Sequence, residues 1–177
     1  MDVWSLGCVF AEMLGMIRDN VDCHIERSPI FPGRSCFPLS PDLKTQKTRA
    51  GYPCSDSDQL NVILEVLGTP EDLSFISDEK ALRYVQSFPH IEATPLYEYF
   101  PAASSDELDL LAKMIKFSPR ERITLDEVLE HPYFQSVRNS DFEVLAENPA
   151  DFVFDSEQEL DMQTLRDIFA REIKIYE

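Results

Sequence analysis

The first fourteen residues constrain the fold most, because they form an apolar segment of helical length that has almost no polar face. Only Asp2, Ser5 and Glu12 interrupt its apolar residues. A helix that is apolar on every side is packed by other elements on all its faces, and this one is too short to cross a bilayer. We therefore expect a buried core helix with Asp2 as its N-cap. Because it stands at the start, we also expect the chain to be the second part of a larger protein.

Two helix signals follow each other in the middle of the chain. From Asp58 to Leu67, apolar residues recur at i, i+3, i+4 and i+7, and Gly68 then suits a left-handed helix end. Thr69, followed by proline and two acids, predicts a new helix start directly afterwards. A short helix is expected around residues 78–86. No strand pattern stands out.

Capping boxes, in which a hydroxyl residue is followed three positions later by glutamate, predict two more helices. Ser104 begins a strongly amphipathic helix that we expect to reach Lys116, and Thr124 begins one that ends near His131. A last helix, from Asp161 to Tyr176, carries an apolar stripe that must dock on another surface.

The connection between the first and second helices is long and lacks periodicity. Its second half, from Ser35 to Ser57, is rich in Ser, Pro, Thr and Lys. Long structureless loops in compact domains are usually functional or disordered, and we expect disorder here. Ser40 precedes a proline and is a weak candidate for proline-directed phosphorylation.

Charge and cysteine content exclude several classes of function. A net charge of −17 argues against a nucleic-acid binder, which needs a basic surface, and favours basic partners. Cys23, His24, Cys36 and Cys54 could form a metal site only in an unusual arrangement, because no Cys-x-x-Cys pair is present. We predict no metal and no membrane segment, and a reducing cytoplasmic or nuclear setting.

Five motifs carry a family resemblance. Residues 2–9, Asp-Val-Trp-Ser-Leu-Gly-Cys-Val, resemble the Asp-x-Trp-Ser-x-Gly helix at the centre of the C-terminal lobe of eukaryotic protein kinases. Phe-Pro-Gly at 31–33 resembles a turn of the same kinases. Three further motifs are similar to mitogen-activated protein kinases in particular and follow in the family's order: Asp-Gln-Leu at 58–60, Phe-Ser-Pro-Arg-Glu-Arg-Ile-Thr at 117–124 and His-Pro-Tyr-Phe at 131–134. The resemblance covers nearly the whole chain.

The resemblance implies a mainly α, incomplete kinase-like fold that consists of the helical C-terminal lobe alone. Residues 1–134 would form the lobe, with loop insertions at about 16–57, and residues 135–177 an acidic extension with a final helix. That extension contains 11 acidic residues from Asn139 onward against 3 basic ones.

The motifs that perform phosphoryl transfer in kinases are absent from this sequence. Kinases need a Gly-rich loop, a lysine, a catalytic Asp and Asn, and a metal-binding Asp, yet the chain has no Gly-x-Gly-x-x-Gly, His-Arg-Asp, Asp-Phe-Gly or Ala-Pro-Glu. In the family these motifs precede the Asp-x-Trp helix. We therefore predict no catalytic, cofactor-binding or metal-binding residue in this chain, although the parent kinase would use ATP and magnesium.

The resemblance assigns structural roles to Asp2, Trp4, Gly7 and Arg122. The matching aspartate in the family holds the catalytic loop, and the matching arginine pairs with the glutamate of Ala-Pro-Glu. Without that partner we expect Arg122 to be either solvated or an uncompensated buried charge, which can cost several kcal/mol. Trp4 is expected in the core.

Two docking surfaces of the family have corresponding positions in this sequence. The acidic patch that binds basic peptides has its two carboxylate positions at Asn139 and Phe142 here, so Asp141 and Glu143 are the candidates to replace them. The pocket that binds aromatic peptides retains Leu60 and Tyr84. Its aromatic residue and its leucine are replaced by acidic and polar residues at 56 and 57, which predicts a degraded pocket.

The sequence is compatible with three functions. The best supported is a fragment of a mitogen-activated-type Ser/Thr kinase, a phosphotransferase of intracellular signalling, that is inactive by itself and completed by the missing N-terminal part of the kinase. The second is a non-catalytic interaction module derived from such a lobe. An unrelated helical domain is disfavoured, because many motifs stand in the family's order.

Overall fold

A computed structural model describes residues 1–20, 23, 25, 27–40, 44, 48–49, 51–53, 55–143, 147–148 and 161–175. Within this part of the chain the fold is helical, with one two-stranded hairpin whose strands are two residues long. The elements are α1 (Asp2–Leu14), β1 (Thr48–Arg49), β2 (Tyr52–Pro53), α2 (Gln59–Leu67), α3 (Glu79–Gln86), α4 (Leu96–Tyr99), α5 (Ser105–Met114), α6 (Leu125–Leu129), 3-10 helices at Pro132–Phe134 and Ser140–Phe142, and α7 (Met162–Ile175).

The core forms where α1 crosses α5. Gly7 is buried at this crossing, and a Cβ atom added to it would lie 2.8 Å from Ile115 Cγ2 and 3.0 Å from Met114 Cβ. Only glycine allows so close an approach without a shift of the neighbouring helix. The buried apolar cluster around the crossing comprises Phe10, Ala11, Leu14, Ile30, Phe31, Val66, Phe100, Leu110, Leu111, Met114, Ile115 and Val128.

The expectation that α1 is covered on all faces is wrong for this chain. Leu6, Val9 and Met13, which share one side of the helix, are 45%, 55% and 56% exposed. The apolar composition of α1 predicted the helix correctly, but the chain packs only the opposite side. Asp2 is likewise not the N-cap, since the helix begins at Asp2 after Met1, without a side-chain cap.

The middle helices agree with their sequence signals, except at Thr69. Asp58 and Asp78 cap α2 and α3 by accepting from backbone N–H groups, and Gly68 ends α2 with a φ of 78°. No helix begins at Thr69. Its hydroxyl instead accepts from the N–H of Ile91 at 2.9 Å, so a contact distant in sequence replaces the predicted cap.

Both predicted capping boxes are present. The glutamate three residues after the cap accepts from the backbone N–H of Ser104 at 2.7 Å and from that of Thr124 at 2.8 Å. Helix α5 ends at Met114, two residues before the predicted end at Lys116. The short helix α4 was not foreseen.

The segment before α2 is ordered where the structure describes it, so the expectation of a structureless stretch is wrong there. Cys36 and Ser40 form an isolated antiparallel bridge, and strands β1 and β2 form a hairpin around Gly51, whose φ is 85°. The remaining residues of this stretch lie outside the described part of the chain.

The chain divides into two compact units, Met1–Arg138 and Asn139–Glu177. The second unit contains the 3-10 helix at Ser140–Phe142 and α7, the predicted last helix, which has no buried residue among those described. None of the helices in the described ranges is long and apolar enough to cross a membrane.

Candidate functional site

Trp4 joins three segments of the first unit. Its ring stacks on that of Phe31 from the Phe-Pro-Gly turn, with 5.3 Å between centroids and 7° between planes. The guanidinium of Arg122 lies over the Trp4 ring, 5.0 Å from its centroid. Trp4 is partly buried and packs against the core cluster. Stacking and cation–π attraction therefore tie α1 to two loops that are distant in sequence.

Arg122 is neither fully solvated nor an uncompensated buried charge. Its Nε and Nη2 atoms donate to the carbonyl oxygen of Lys116 at 3.2 and 3.0 Å, and Nη2 also donates to that of Phe117 at 3.4 Å. Partial burial lowers the pKa of Arg122. Two backbone carbonyl groups and the Trp4 ring thus contact the guanidinium of Arg122. They take the place of the glutamate carboxylate with which the matching arginine of the family pairs.

The buried His131, at the start of the 3-10 helix Pro132–Phe134, connects that helix to α5. The N–H of Tyr133 donates to His131 Nδ1 at 3.3 Å, and His131 Nε2 forms a hydrogen bond of 2.9 Å with Asp109 Oδ2. Lys113 Nζ also donates to Asp109, at 2.6 Å. The bond from Lys113, and after it that from His131, lowers the pKa of the Asp109 carboxyl. With every one of these polar groups bonded to another, the arrangement links elements and does not present a base to a substrate.

Tyr84, one of the two candidate residues for aromatic-peptide docking, lies in a cluster of four rings. Its ring centroid is 5.0 Å from that of Phe37, 5.1 Å from that of Tyr52 and 5.3 Å from that of Phe88. Leu60, the other candidate, is half-buried on α2. Phe37 and Tyr52 were not singled out in the sequence, although two aromatic residues within a polar, proline-rich stretch were a usable signal.

The acidic candidates belong to the second unit. Asp141 and Glu143 are exposed, as is Phe142 at 84%. Asn139 does not offer its side chain freely, because its Oδ1 accepts from the N–H of Asp141 at 3.0 Å. The local geometry therefore presents two carboxylates beside an exposed aromatic ring.

Metal ligation receives no support from the part of the chain that the structure describes, which holds no group of three or more His, Cys, Asp or Glu side chains suited to a cation. Cys8 and Cys36 are free thiols, and burial raises the pKa of Cys8. His24 and Cys54, two other members of the metal site considered from the sequence, lie outside the described residues.

No protein-family model matches the chain, but curated proteins do. It is 40% identical over 135 residues to mitogen-activated protein kinase 3 of Oryza sativa subsp. japonica, covering 75% of the chain and 28% of that kinase. Identity to the mitogen-activated protein kinase spm1 of Cytospora mali is 35% over 175 residues, covering 98% of the chain and 34% of spm1. Mitogen-activated protein kinase 13 of Arabidopsis thaliana is 33% identical over 174 residues, covering 97% of the chain and 39% of that kinase.

The chain thus spans about a third of the length of the curated relatives it matches, between 28% and 39%. Its helical fold agrees with the helical lobe that the sequence motifs predicted. The chain is homologous to part of these kinases: it corresponds to the C-terminal lobe of a eukaryotic Ser/Thr protein kinase and is most like the mitogen-activated protein kinase family.

Proposed function

We propose that this chain works as the C-terminal lobe of a mitogen-activated-type Ser/Thr kinase, which transfers phosphate from ATP to protein Ser or Thr in intracellular signalling in the cytoplasm or nucleus. Its own part is that of a scaffold and a docking surface. The similarity to kinases over 75–98% of the chain supports this assignment.

The exposed side of α1 carries the proposal. Leu6, Val9 and Met13 form an apolar stripe on a helix whose other side lies in the core. Contiguous apolar surface of this kind marks a contact with another protein surface. Roughly two thirds of each relative's own sequence lies outside the part that the chain aligns with, and we assign the cover of this stripe to the part of a kinase that carries the catalytic motifs.

The chain alone is expected not to bind nucleotide, because none of the motifs that contact phosphate or magnesium occurs in it. Calorimetric titration with ATP and magnesium should give no heat of binding. Micromolar affinity would contradict this expectation and would place a nucleotide site on the chain itself.

A chimera tests the proposed function directly. The part of spm1 that precedes its aligned region is joined to Asp2, and phosphorylation of a Ser-Pro peptide is measured. We expect activity from the chimera and its loss when Leu6, Val9 and Met13 are all changed to serine. Val137→Ser, at a residue that is 73% exposed, is the matched control and should leave activity unchanged.

The opposite result is equally clear. A chimera that folds and binds ATP but phosphorylates nothing would favour the non-catalytic interaction module. A chimera that remains active after the triple substitution would show that the stripe on α1 is not the surface that joins the two parts.

For partners, we propose weak binding of basic peptides through Asp141 and Glu143. Both are exposed, and the net charge of −17 favours cationic partners. An exposed ion pair contributes only about 0.2–1 kcal/mol, and for this reason we expect binding to be weak. Salt screens such exposed pairs, so the affinity should fall steeply as the salt concentration rises. Asn139→Asp with Phe142→Asp should strengthen binding, whereas Asp141→Lys should weaken it several-fold. If neither change matters, no such patch exists.

A further inference from the structure

A cavity of about 240 Å³ lies between the end of α2, the end of α5 and the loop residues 93–94. Its least exposed lining residues are Val66, Ile115 and Ser118, which are 4%, 0% and 2% exposed and form its floor. Apolar side walls rise from this floor and comprise Leu67, Pro70, Ala93, Leu96, Ala112 and Phe117. A largely apolar cavity with a few polar groups is typical of a site for a small molecule.

The floor of this cavity carries a hydroxyl group that is not hydrogen-bonded. Ser118 Oγ is buried and has no hydrogen-bond partner among the described residues, although the carbonyl oxygen of Ser118 accepts from the N–H of Glu121 at 3.2 Å. A buried hydroxyl without a partner is unfavourable, because it has given up its hydrogen bonds to water. Rotation of this side chain about χ1 breaks no hydrogen bond of the Ser118 hydroxyl, so a polar group inside the cavity could engage it.

The exposed rim of the cavity is mainly acidic. Glu71, Asp72 and Glu121 lie on it, and Lys116 is the one basic residue among those that line the cavity. Asp72 is engaged within the chain, since its two oxygens accept from the N–H and the hydroxyl of Ser74 at 2.8 and 3.0 Å. The rim therefore offers Glu71 and Glu121 to a cationic group, and it repels an anionic one.

We propose that this cavity binds a small aromatic amine that carries a hydroxyl group. The ring contacts the apolar walls, the hydroxyl bonds to Ser118 on the floor, and the ammonium group pairs with Glu71 and Glu121 at the rim. The cavity is smaller than the roughly 300–1,000 Å³ of sites for drug-sized ligands, which limits the ligand to roughly ten non-hydrogen atoms. Tyramine is a probe with these groups in this order. The inference does not depend on kinase activity.

Three related probes test the proposal on the full chain, labelled with ¹⁵N and followed by two-dimensional NMR. Tyramine should shift the amide signals of residues 66–72, 93–96 and 115–121 and saturate with a Kd of about millimolar, as expected for so small a ligand. Phenethylamine, which lacks the hydroxyl, should bind about fivefold more weakly. In 3-(4-hydroxyphenyl)propionate a carboxylate replaces the ammonium group, and this probe should not saturate. Equal affinity for tyramine and the propionate would overturn the proposal.

A variant of Ser118 separates a direct contact from a structural role. Ser118→Ala should weaken tyramine about fivefold and leave phenethylamine unchanged, because only tyramine carries the group that bonds to the hydroxyl. Ser77→Ala, at an exposed serine outside the cavity, is the matched control and should change neither affinity. An equal loss for both amines in Ser118→Ala would contradict the assigned contact, and so would no loss for either.

Filling the cavity tests its location. Ala112→Leu extends a side chain of α5 into the cavity and should abolish saturable binding, whereas Ala81→Leu, at an exposed alanine of α3 outside the cavity, should preserve it. Binding that survives Ala112→Leu would overturn the proposal.

The exposed rim supplies the decisive test if Ala112→Leu does not fold. Glu71→Gln together with Glu121→Gln should weaken both amines to a similar extent, because both carry the ammonium group. Glu98→Gln together with Glu130→Gln, at two exposed glutamates outside the cavity, is the matched control for the change in net charge. Equal losses in the two double variants would show that the amines respond only to the overall charge, and would contradict the site.

Discussion

Helices α1 and α7 are nearly equal in length and both carry an apolar stripe, yet their surroundings differ. Of the 13 residues of α1, Gly7, Phe10, Ala11 and Leu14 are buried. Among the described residues of α7, 14 in number, none is buried, and Phe169 and Ile173 are 64% and 59% exposed. Periodicity thus predicts a helix and its apolar side, but whether that side is covered depends on surfaces that periodicity does not describe.

The largest expected effect separates the two helices directly. Leu14→Ala, at a residue that is 2% exposed in α1, should lower the free energy of unfolding, because it removes buried methyl groups and leaves a cavity. We expect a loss of about 2–5 kcal/mol. Phe169→Ala in α7 should change it by less than about 0.5 kcal/mol. Urea unfolding followed by circular dichroism measures both, and equal effects would show that α7 is packed as firmly as α1.

A second prediction sharpens the comparison within α1. Gly7→Ala places a methyl group 2.8 Å from Ile115 and should destabilise the chain, although alanine favours the helix itself. We expect a net loss of about 1–2 kcal/mol from overpacking. Gly15→Ala is the control, because the nearest atom to its Cβ belongs to the backbone of its own helix end, at 3.3 Å. A neutral Gly7→Ala would mean that the α1–α5 crossing can widen without cost.

Helix caps extend the test to helix ends. Ser104→Ala removes the cap of α5, which is packed in the core, and should cost about 1 kcal/mol of global stability. Asp161→Ala removes the acceptor of the Thr164 N–H at the start of α7. It should reduce helicity in circular dichroism and leave the urea midpoint unchanged. A shifted midpoint for Asp161→Ala would again argue for a packed α7.

The smallest effect concerns acid stability. Hydrogen bonds from Lys113 and His131 depress the pKa of Asp109 in the folded state, so its contribution is present above the pKa of the unfolded chain. This stabilisation is lost as the pH falls through the pKa that Asp109 has in the folded state. Because the Asp109 side chain is 53% exposed, we expect only about 0.2–1 kcal/mol. Asp109→Asn keeps an acceptor for His131 but should flatten the stability profile below about pH 4, measured by urea unfolding at several pH values. Parallel profiles would refute the assignment.

Local signals predicted most of the helices of this chain. The boxes at Ser104 and Thr124 and the cap at Asp58 depend on residues within a few positions, and the structure confirms them. Thr69 carried an equally good signal and was misread, because its hydroxyl is used by Ile91, which is 22 positions away. A capping side chain can bond instead to any other donor or acceptor that the tertiary structure brings near. The sequence shows only those partners that are close along the chain.

The candidate site divides in the same manner. Tyr84 was identified from the resemblance, but its partners Phe37 and Tyr52 lie in a stretch without periodicity, where sequence reasoning expected disorder. The same limit applies to Asp58: its cap on α2 was readable, whereas its bond to Phe37 joins residues 21 positions apart. Contacts between distant segments are decided by the fold as a whole and are therefore the part that local patterns omit.

The position of Trp4 gives the chain a built-in optical reporter. It is the one tryptophan in the sequence, and its indole touches the Phe31 ring and the Arg122 guanidinium while its backbone belongs to α1. Separation of any of these three segments admits water to the indole and moves its emission to longer wavelength. Intrinsic fluorescence, without a label, therefore reads the integrity of the junction and not merely the average helix content, and it distinguishes a local opening of this corner from a loss of structure elsewhere.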